Sequence, residues 1–138
     1  MEETSKRLKC EIVTPEGLIL SDDASIVVIP GEMGELGIMP RHAPIVTRTV
    51  IGRAHVHGES AGWQELAVGD GYAKMQFDRL LLLVDTAEMA SEIDIERAKE
   101  ALARAEEWLA RSQEEGVDTH RAQRARRRAL NRIKVAGL

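Results

Sequence analysis

A chain of 138 residues can form one ordinary domain, or a small domain with an appendage, and leaves little room for a large enclosed active site. Hydrophobic residues make up 43% and charged residues 30%, the balance of a globular protein, whereas an aromatic content of 3% nearly excludes the base-stacking surfaces that bind single-stranded nucleic acid. The single cysteine, Cys10, excludes an internal disulfide and a cysteine-ligated metal cluster.

The formal net charge of −4 conceals a separation of charge near the C-terminus. Residues 85–118 contain eleven acidic and four basic side chains, whereas residues 119–138 contain seven basic and no acidic ones. Adjoining segments of opposite sign can attract each other, and the basic one can equally be drawn to an acidic partner. The sequence therefore predicts a competition between two positions of the basic segment.

No stretch of the sequence suggests entry into a membrane. Residues 1–9 lack the apolar core of a signal peptide, and the longest apolar run, residues 80–84, is too short to span a bilayer. We therefore expect a chain that stays in the cytoplasm or an equivalent compartment and meets a membrane only through other proteins.

The first part of the chain has the pattern of short strands separated by turns. Leu8, Cys10 and Ile12 alternate with charged residues, as in a strand with one buried face, which predicts that Cys10 is a core thiol. Further strands are predicted over residues 18–20, 25–30, 35–39, 51–57, 63–68, 72–77 and 80–84. Short strands at this spacing favour an antiparallel β-sandwich of about eight to ten strands.

Beyond Ile93 the apolar residues recur at helical spacing, in two stretches separated by Gly116. A connection of about four residues would fold two such helices into an antiparallel hairpin. Because both apolar stripes are rich in alanine, the hairpin buries little area per contact and should open at modest cost. The chain is thus expected to divide into a sandwich over residues 1–87 and a helical hairpin over residues 88–138. The candidate N-caps of the helices are Ser91 or Asp94, and Asp118 or Thr119.

Residues 31–44, G-E-M-G-E-L-G-I-M-P-R-H-A-P, resemble the signature G-E-x-G-x-L-G-I-x-P-x-H-A-P of the epsilon subunits of F-type rotary ATP synthases. Residues 69–72 are similar to the glycine-rich hairpin of that family, with Asp70 in place of one glycine. Residues 85–88 resemble its D-x-A-E linker, and residues 93–98 its I-D-x-x-R-A helix start. Together with matching motif order and length, these segments extend the resemblance over nearly the whole chain.

The resemblance implies a non-catalytic rotor subunit, since the catalytic sites of this family lie on the beta subunits. Its sandwich packs on the gamma subunit and touches the polar loops of the membrane c-ring, which couples gamma to the ring during proton-driven ATP synthesis. The implied location is peripheral, at the cytoplasmic face of the cell membrane or the stromal face of a thylakoid. The residues that correspond to these contacts are Gly34, Glu35 and Leu36 at the c-ring and His42 near gamma.

In this family the helical arm is either compact beside the sandwich or extended along gamma into the alpha/beta hexamer, where it inhibits ATP hydrolysis. The implied partner is the acidic C-terminal loop of a beta subunit, held by contacts that weaken with salt. A nucleic-acid arm is disfavoured by the lack of aromatic residues among the arginines. The basic residues available to the acidic loop are Arg121, Arg124, Arg126, Arg127 and Arg128.

In some bacterial members the compact hairpin binds ATP as a regulatory ligand, and no cofactor is required. Allowing one extra residue near Gly116, the matching positions here are Glu88, Asp94, Arg97, Arg128 and Arg132. Arginine suits phosphate because its guanidinium donates paired hydrogen bonds. The alternatives are that Asp94 is simply an N-cap and that the arginines form a solvated basic face.

Other classes of function find less support in the sequence. His55 and His57 share one face of a predicted strand, but no third ligand is evident beside His42 and His120, so we expect no metal site. The sequence contains no P-loop and no arrangement typical of a hydrolase. The alternative is a free-standing β-sandwich binding module with an oligomerising helical tail, which co-purification with gamma would distinguish.

Overall fold

Alternation of apolar and polar side chains in the first part of the chain produces a nine-stranded sheet. The structure is a computed structural model that describes residues 7–111, 113–114 and 116–137. These residues fall into two units, which divide between Met89 and Ala90. The strands are β1 Leu8–Thr14, β2 Gly17–Gly31, β3 Gly34–Ile38, β4 Ile45–Thr49, β5 Gly52–Gly58, β6 Gly62–Val68, β7 Gly71–Gln76, β8 Arg79–Val84 and β9 Ala87–Met89.

Strand β2 joins the two layers of the sandwich. Its first half pairs with β1, and its second half pairs with β3 and β5. From there one layer continues through β8, β7 and β4, and the other through β6 and β9. Among the described strands, only the β1–β8 pair is parallel. The predicted β-sandwich is therefore confirmed, with one parallel pairing inside it.

Two details of the strand prediction were wrong. The short strands predicted at residues 18–20 and 25–30 form one strand of 15 residues, because the polar residues between them are held in the ladder with β1. Strands β4 and β9 were not predicted. Strand β9 has only three residues and gains its strand conformation by pairing with β6, which the local sequence does not reveal.

The core between the two layers is almost entirely aliphatic, as the low aromatic content predicts. Cys10 is fully buried in it, which confirms the predicted core thiol. Burial, with smaller contributions from Asp22 and Glu11, raises the pKa of this thiol from 9.0 to about 12. The largest fully buried side chains are Leu8, Ile12, Val27, Ile29, Ile38, Val56, Leu66, Val68, Met75, Leu80, Leu82 and, in the helical unit, Val135.

This raised pKa predicts a loss of stability in alkali. In the unfolded chain the thiol ionises near 9.0, whereas in the folded protein it keeps its proton until about pH 12. The stability that the folded protein gains from keeping this thiol protonated is therefore complete below pH 9 and is lost as the pH rises. Between about pH 9 and pH 11, we expect the free energy of unfolding to fall by up to about 1.4 kcal/mol per pH unit more in the wild type than in Cys10→Ala. Denaturant titrations that give both proteins the same pH slope would contradict this.

The second unit is a helical hairpin, as predicted. It contains a short 3-10 helix Ala90–Glu92 and the helices α1 Ile95–Ala110 and α2 Thr119–Ala136. The N-caps are Asp94 and Asp118, whose carboxylates accept hydrogen bonds from the backbone N–H groups of Arg97 and Arg121, both at 3.1 Å. In the described chain, no helix has both the length and the hydrophobicity that crossing a membrane requires.

The hairpin is joined by a longer connection than predicted. Eight residues separate the helices instead of about four, because α1 already ends at Ala110. At that point Arg111 turns its backbone N–H back to the carbonyl of Trp108, and Gly116 takes a φ of +88°. The predicted alanine seam is confirmed. The buried residues of the two helices are Ala98 and Ala105 in α1 and Ala122, Ala129 and Val135 in α2.

Candidate functional site

The start of α1 brings two of the predicted nucleotide-binding residues together. The Asp94 carboxylate accepts the Arg97 backbone N–H, so the predicted structural role of Asp94 as an N-cap is confirmed. Both side chains are exposed at the first turn of the helix. Glu88 lies in the sandwich unit, on β9 opposite Ala67 of β6, and is half-buried.

The remaining two predicted residues, Arg128 and Arg132, lie one turn apart on α2 and are both half-buried. The register of the hairpin follows from Glu106 Oε2, which lies 3.5 Å from Arg126 Nε. Because the helices are antiparallel, Arg132 and Arg128 are displaced from Arg97 along the axis by about 5 and about 10 Å. The backbone positions of the three arginines therefore fall within about 10 Å of one another along the hairpin axis.

The five arginines predicted to meet an acidic loop do not share one surface of α2. Arg121, Arg124 and Arg128 recur at helical spacing and lie on one side of the helix. Arg126 and Arg127 line an open groove with Leu109 of α1 and Gln123. Basic side chains thus extend around much of the helix, with Arg127 one turn from Arg124 and with Arg126 already facing a carboxylate of α1.

The residues predicted to contact other subunits through the sandwich lie at opposite ends of β3. Gly34 starts the strand with a φ of +124°, Glu35 is exposed, and Leu36 packs against the core. His42 lies in the loop beyond the other end, where its ring Nδ1 is 2.7 Å from the Ala43 carbonyl oxygen. Since a strand rises about 3.3 Å per residue, the length of β3 alone separates the two places by roughly 13 Å.

A corner next to His42 was not predicted as a site. The predicted strands 72–77 and 80–84 leave a turn at residues 78–79, but the turn lies one residue earlier, at Phe77 and Asp78, and Arg79 opens β8. The backbone N–H of Arg41 donates to the Asp78 carboxylate, which joins this turn to the loop after β3. The Phe77 side chain is 85% exposed. The local sequence around Phe77 predicts a turn between two strands but does not reveal that this turn contacts the loop after β3.

An apolar row on the outer face of one layer was not predicted either. Tyr72 pairs with Leu83, Leu83 with Val13, and Val13 with Leu18, so four apolar side chains stand in register across β7, β8, β1 and β2. Paired residues project from the same face, and this row is about 14 Å wide. Tyr72, Leu83 and Leu18 are 55%, 48% and 57% exposed. Their alternation with buried residues is visible in the sequence, but their alignment depends on the strand pairing.

The glycine-rich hairpin shows why its middle position accepts Asp70. A Cβ at Gly71 would overlap the carbonyl oxygen of Leu83, and a Cβ at Gly69 would overlap the Asp85 carboxylate. Between them Asp70 is half-buried, and its carbonyl oxygen accepts the Asp85 N–H at 3.0 Å. Gly71 is therefore the position at which backbone atoms exclude a side chain, whereas at Gly69 the side chains of Asp85 and Thr86 would have to move.

The two histidines of β5 have separate partners. His55 Nδ1 lies 3.1 Å from the Glu65 carboxylate, whereas His57 Nδ1 lies 2.7 Å from the Ser25 hydroxyl and its ring stacks on Trp63. In the part of the chain that the structure describes, no three His, Cys, Asp or Glu side chains are placed to hold a metal ion.

A β-sandwich followed by a helical hairpin with these motifs defines a class of two-domain subunits. Two family models match the two domains of this chain. Residues 7–90 match the β-sandwich domain of the ATP synthase delta/epsilon chain, and residues 91–137 match its long α-helix domain. The chain belongs to the ATP synthase delta/epsilon chain family.

Individual relatives match over nearly their full length. The ATP synthase epsilon chain of Desulforamulus reducens is 43% identical over 132 residues, covering 96% of this chain and 98% of the relative. That of Macrococcus caseolyticus is 44% identical over 131 residues, covering 94% and 96%. These matches confirm the family indicated by residues 31–44 and favour a synthase subunit over a free-standing binding module.

Two solved structures share the fold. One is a chain of the Euglena gracilis mitochondrial ATP synthase, in its OSCP/F1/c-ring assembly, with a TM-score of 0.77, 20% identity and coverage of 91% of this chain and 79% of that chain. The other belongs to the central stalk and c-ring of the Tetrahymena thermophila mitochondrial ATP synthase, with a TM-score of 0.56, 14% identity and 97% coverage of both chains. The roles of individual side chains stay predictions.

Proposed function

We propose that this chain is the non-catalytic central-stalk subunit of an F-type ATP synthase, which couples gamma to the c-ring and restrains ATP hydrolysis through its helices. The observation that carries the proposal is the match of both domains, in order and over nearly the whole chain, to epsilon chains of ATP synthase. Association with the membrane would be peripheral, through the other subunits, at the cytoplasmic face of the cell membrane.

The apolar row of Val13, Leu18, Tyr72 and Leu83 is the surface of the sandwich that best suits gamma. A contiguous exposed apolar surface on a small domain usually marks a protein contact. The neighbouring positions on the same face are Arg48 beside Tyr72 and, in the next row, Val46, Lys74, Leu81 and Glu11. Such a surface favours a partner segment with an apolar stripe.

Replacing Leu83 with Asp tests this contact. The side chain is half-exposed on the outer face, so the sandwich should remain folded, while a carboxylate in the middle of the row should weaken gamma binding by about tenfold or more. Binding of the full chain to the purified gamma subunit of the same synthase measures the effect, and circular dichroism checks the fold. Ala61→Asp adds the same charge at an exposed turn and should bind normally. Equal binding by Leu83→Asp and wild type would exclude this face.

The opposite ends of β3 fit contacts with two different partners. We assign the first residues of β3, the exposed Gly34 and Glu35 with the half-buried Leu36, to the polar loops of the c-ring, and His42 to gamma. Their separation by the length of the strand supports this assignment, because one subunit lying between gamma and the ring must present two surfaces.

The basic helix α2 is the proposed inhibitory element. Its side chains Arg121, Arg124 and Arg128 offer a continuous basic side to the acidic C-terminal loop of a beta subunit. Arg126 and Arg127 extend this surface around the helix, and Arg126 would exchange its partner Glu106 for a carboxylate of the beta loop. An exposed ion pair is worth about 0–1 kcal/mol, so the exchange is easy in either direction.

ATP is the proposed regulatory ligand of the compact hairpin, with its phosphates between Arg97, Arg128 and Arg132 and with Asp94 as the acidic position within the helical unit. Because the arginines come from both helices, the ligand would favour the folded-back arrangement. At tenfold excess over the dissociation constant, such a ligand stabilises the form that it binds by about 1.4 kcal/mol, about a tenfold shift in population. A seam of alanines makes a shift of that size sufficient.

A further inference from the structure

Backbone strain in the sandwich is concentrated at the corner next to His42. In the described chain, the non-glycine residues with positive φ are Arg41 at 70°, Phe77 at 52° and Asp78 at 56°. The three meet, because the N–H of Arg41 donates to the Asp78 carboxylate. The Asp78 carbonyl also accepts the N–H of Lys9 at 2.9 Å, so the corner is tied to β1 as well.

Phe77 is poorly suited to its position. A two-residue hairpin turn with positive φ at both residues favours Asn-Gly or Asp-Gly, since a bulky side chain is disfavoured in the left-handed region. Asp78 tolerates that region, but Phe77 does not, and its ring is 85% exposed and adds little to the core. Strained residues that the fold does not need are typical of functional sites.

The surroundings of Phe77 specify the kind of partner. Met39, which is 57% exposed, lies in the loop that Arg41 ties to the turn, and its carbonyl accepts the His42 N–H at 3.2 Å. The charged residues around the two turns are mostly basic, with Arg41 in the loop and Arg79 paired with Lys9 across β8 and β1. An apolar tip with a basic rim fits an apolar socket that is bordered by carboxylates.

We propose that Phe77 is an aromatic anchor that inserts into such a socket on the gamma subunit, beside the contact of His42. The inference rests on the proposed function, in which His42 meets gamma, and adds a residue that none of the motifs contains. The tie between Arg41 and Asp78 fixes the direction of the turn, so the ring is presented on a rigid support.

A substitution that relieves the strain separates this role from a structural one. Phe77→Asn introduces a residue that accepts positive φ and removes the ring. The full chain should therefore melt a few degrees higher, while its affinity for the purified gamma subunit of the same synthase should fall by about tenfold or more. Phe77→Tyr keeps the ring at the same backbone position and should retain most of the affinity.

Three results would contradict the role of Phe77 as an anchor. Unchanged affinity of Phe77→Asn, with wild type binding gamma, would overturn the anchor and leave the proposed function standing. A lower melting temperature of Phe77→Asn would also overturn it, because the ring would then support the fold. If the wild type itself did not bind gamma, both the anchor and the proposed function would fail.

Discussion

A chain that ends at Met89 is expected to bind gamma like the full-length protein, while ATP hydrolysis by the assembled soluble head rises severalfold. The truncation removes α1 and α2, including every basic residue proposed to meet the acidic loop. It has to keep β9, because Met89 packs against the core and Leu66, Ala67 and Val68 of β6 lose their ladder partners without it. ATP hydrolysis by reconstituted heads, measured with and without the arm, gives the effect.

Charge reversal within the intact arm provides the matched control for truncation. Reversing Arg124, Arg126 and Arg127 should raise hydrolysis in the same direction, but less, because Arg121 and Arg128 remain. Lys99→Glu reverses an exposed charge on α1, beside Glu96, and should leave hydrolysis unchanged. If truncation had no effect at any nucleotide concentration, the arm would not be an inhibitor in this synthase.

Arg128→Ala is expected to lower the affinity of the isolated chain for ATP by about tenfold or more, since a hydrogen bond to a charged group is worth about 1.5–3 kcal/mol. Arg128 is a cleaner probe than Asp94, whose carboxylate also caps α1. In the assembled complex the same substitution also removes a positive charge from the side of α2 proposed to meet the acidic loop of beta, so the ATP affinity of the isolated chain is the decisive measurement. Calorimetric titration with ATP measures it.

Lys134→Ala is the control for the Arg128 experiment. It removes an exposed positive charge from the same helix, outside the proposed phosphate contacts, and should bind ATP as the wild type does. Gamma binding should be the same in both variants, since the sandwich is unchanged. Absence of ATP binding by the wild-type chain at millimolar nucleotide would refute the sensing role and leave the arm governed by its acidic partner and the rotation of the stalk.

The proposed contacts give the two domains different roles, stable binding for the sandwich and exchange of partners for the helical hairpin. The apolar row and the Phe77 corner would hold gamma continuously, whereas α2 would exchange partners by way of weak, exposed ion pairs. An exposed pair contributes about 0–1 kcal/mol and is screened by salt. Inhibition should therefore respond to ligand and ionic conditions while the sandwich stays bound.

The sequence by itself determined the features that depend on local spacing. Period-two and helical patterns gave the sandwich, the hairpin and the buried Cys10, because the side chain period reports which face is buried. Asp94 and Asp118 were recognisable as candidate caps because an N-cap acts within three residues of itself. The motif of residues 31–44 indicated the family.

Only the tertiary structure decided the surfaces. The apolar row exists because β1 lies between β8 and β2, which brings Leu18 and Tyr72 into one line although they are far apart in the chain. The Phe77 corner exists because the Arg41 N–H reaches a carboxylate 37 residues away. Periodicity states which side of a strand faces outward, but strand order and register arise from long-range pairing, and they determine which outward side chains become neighbours.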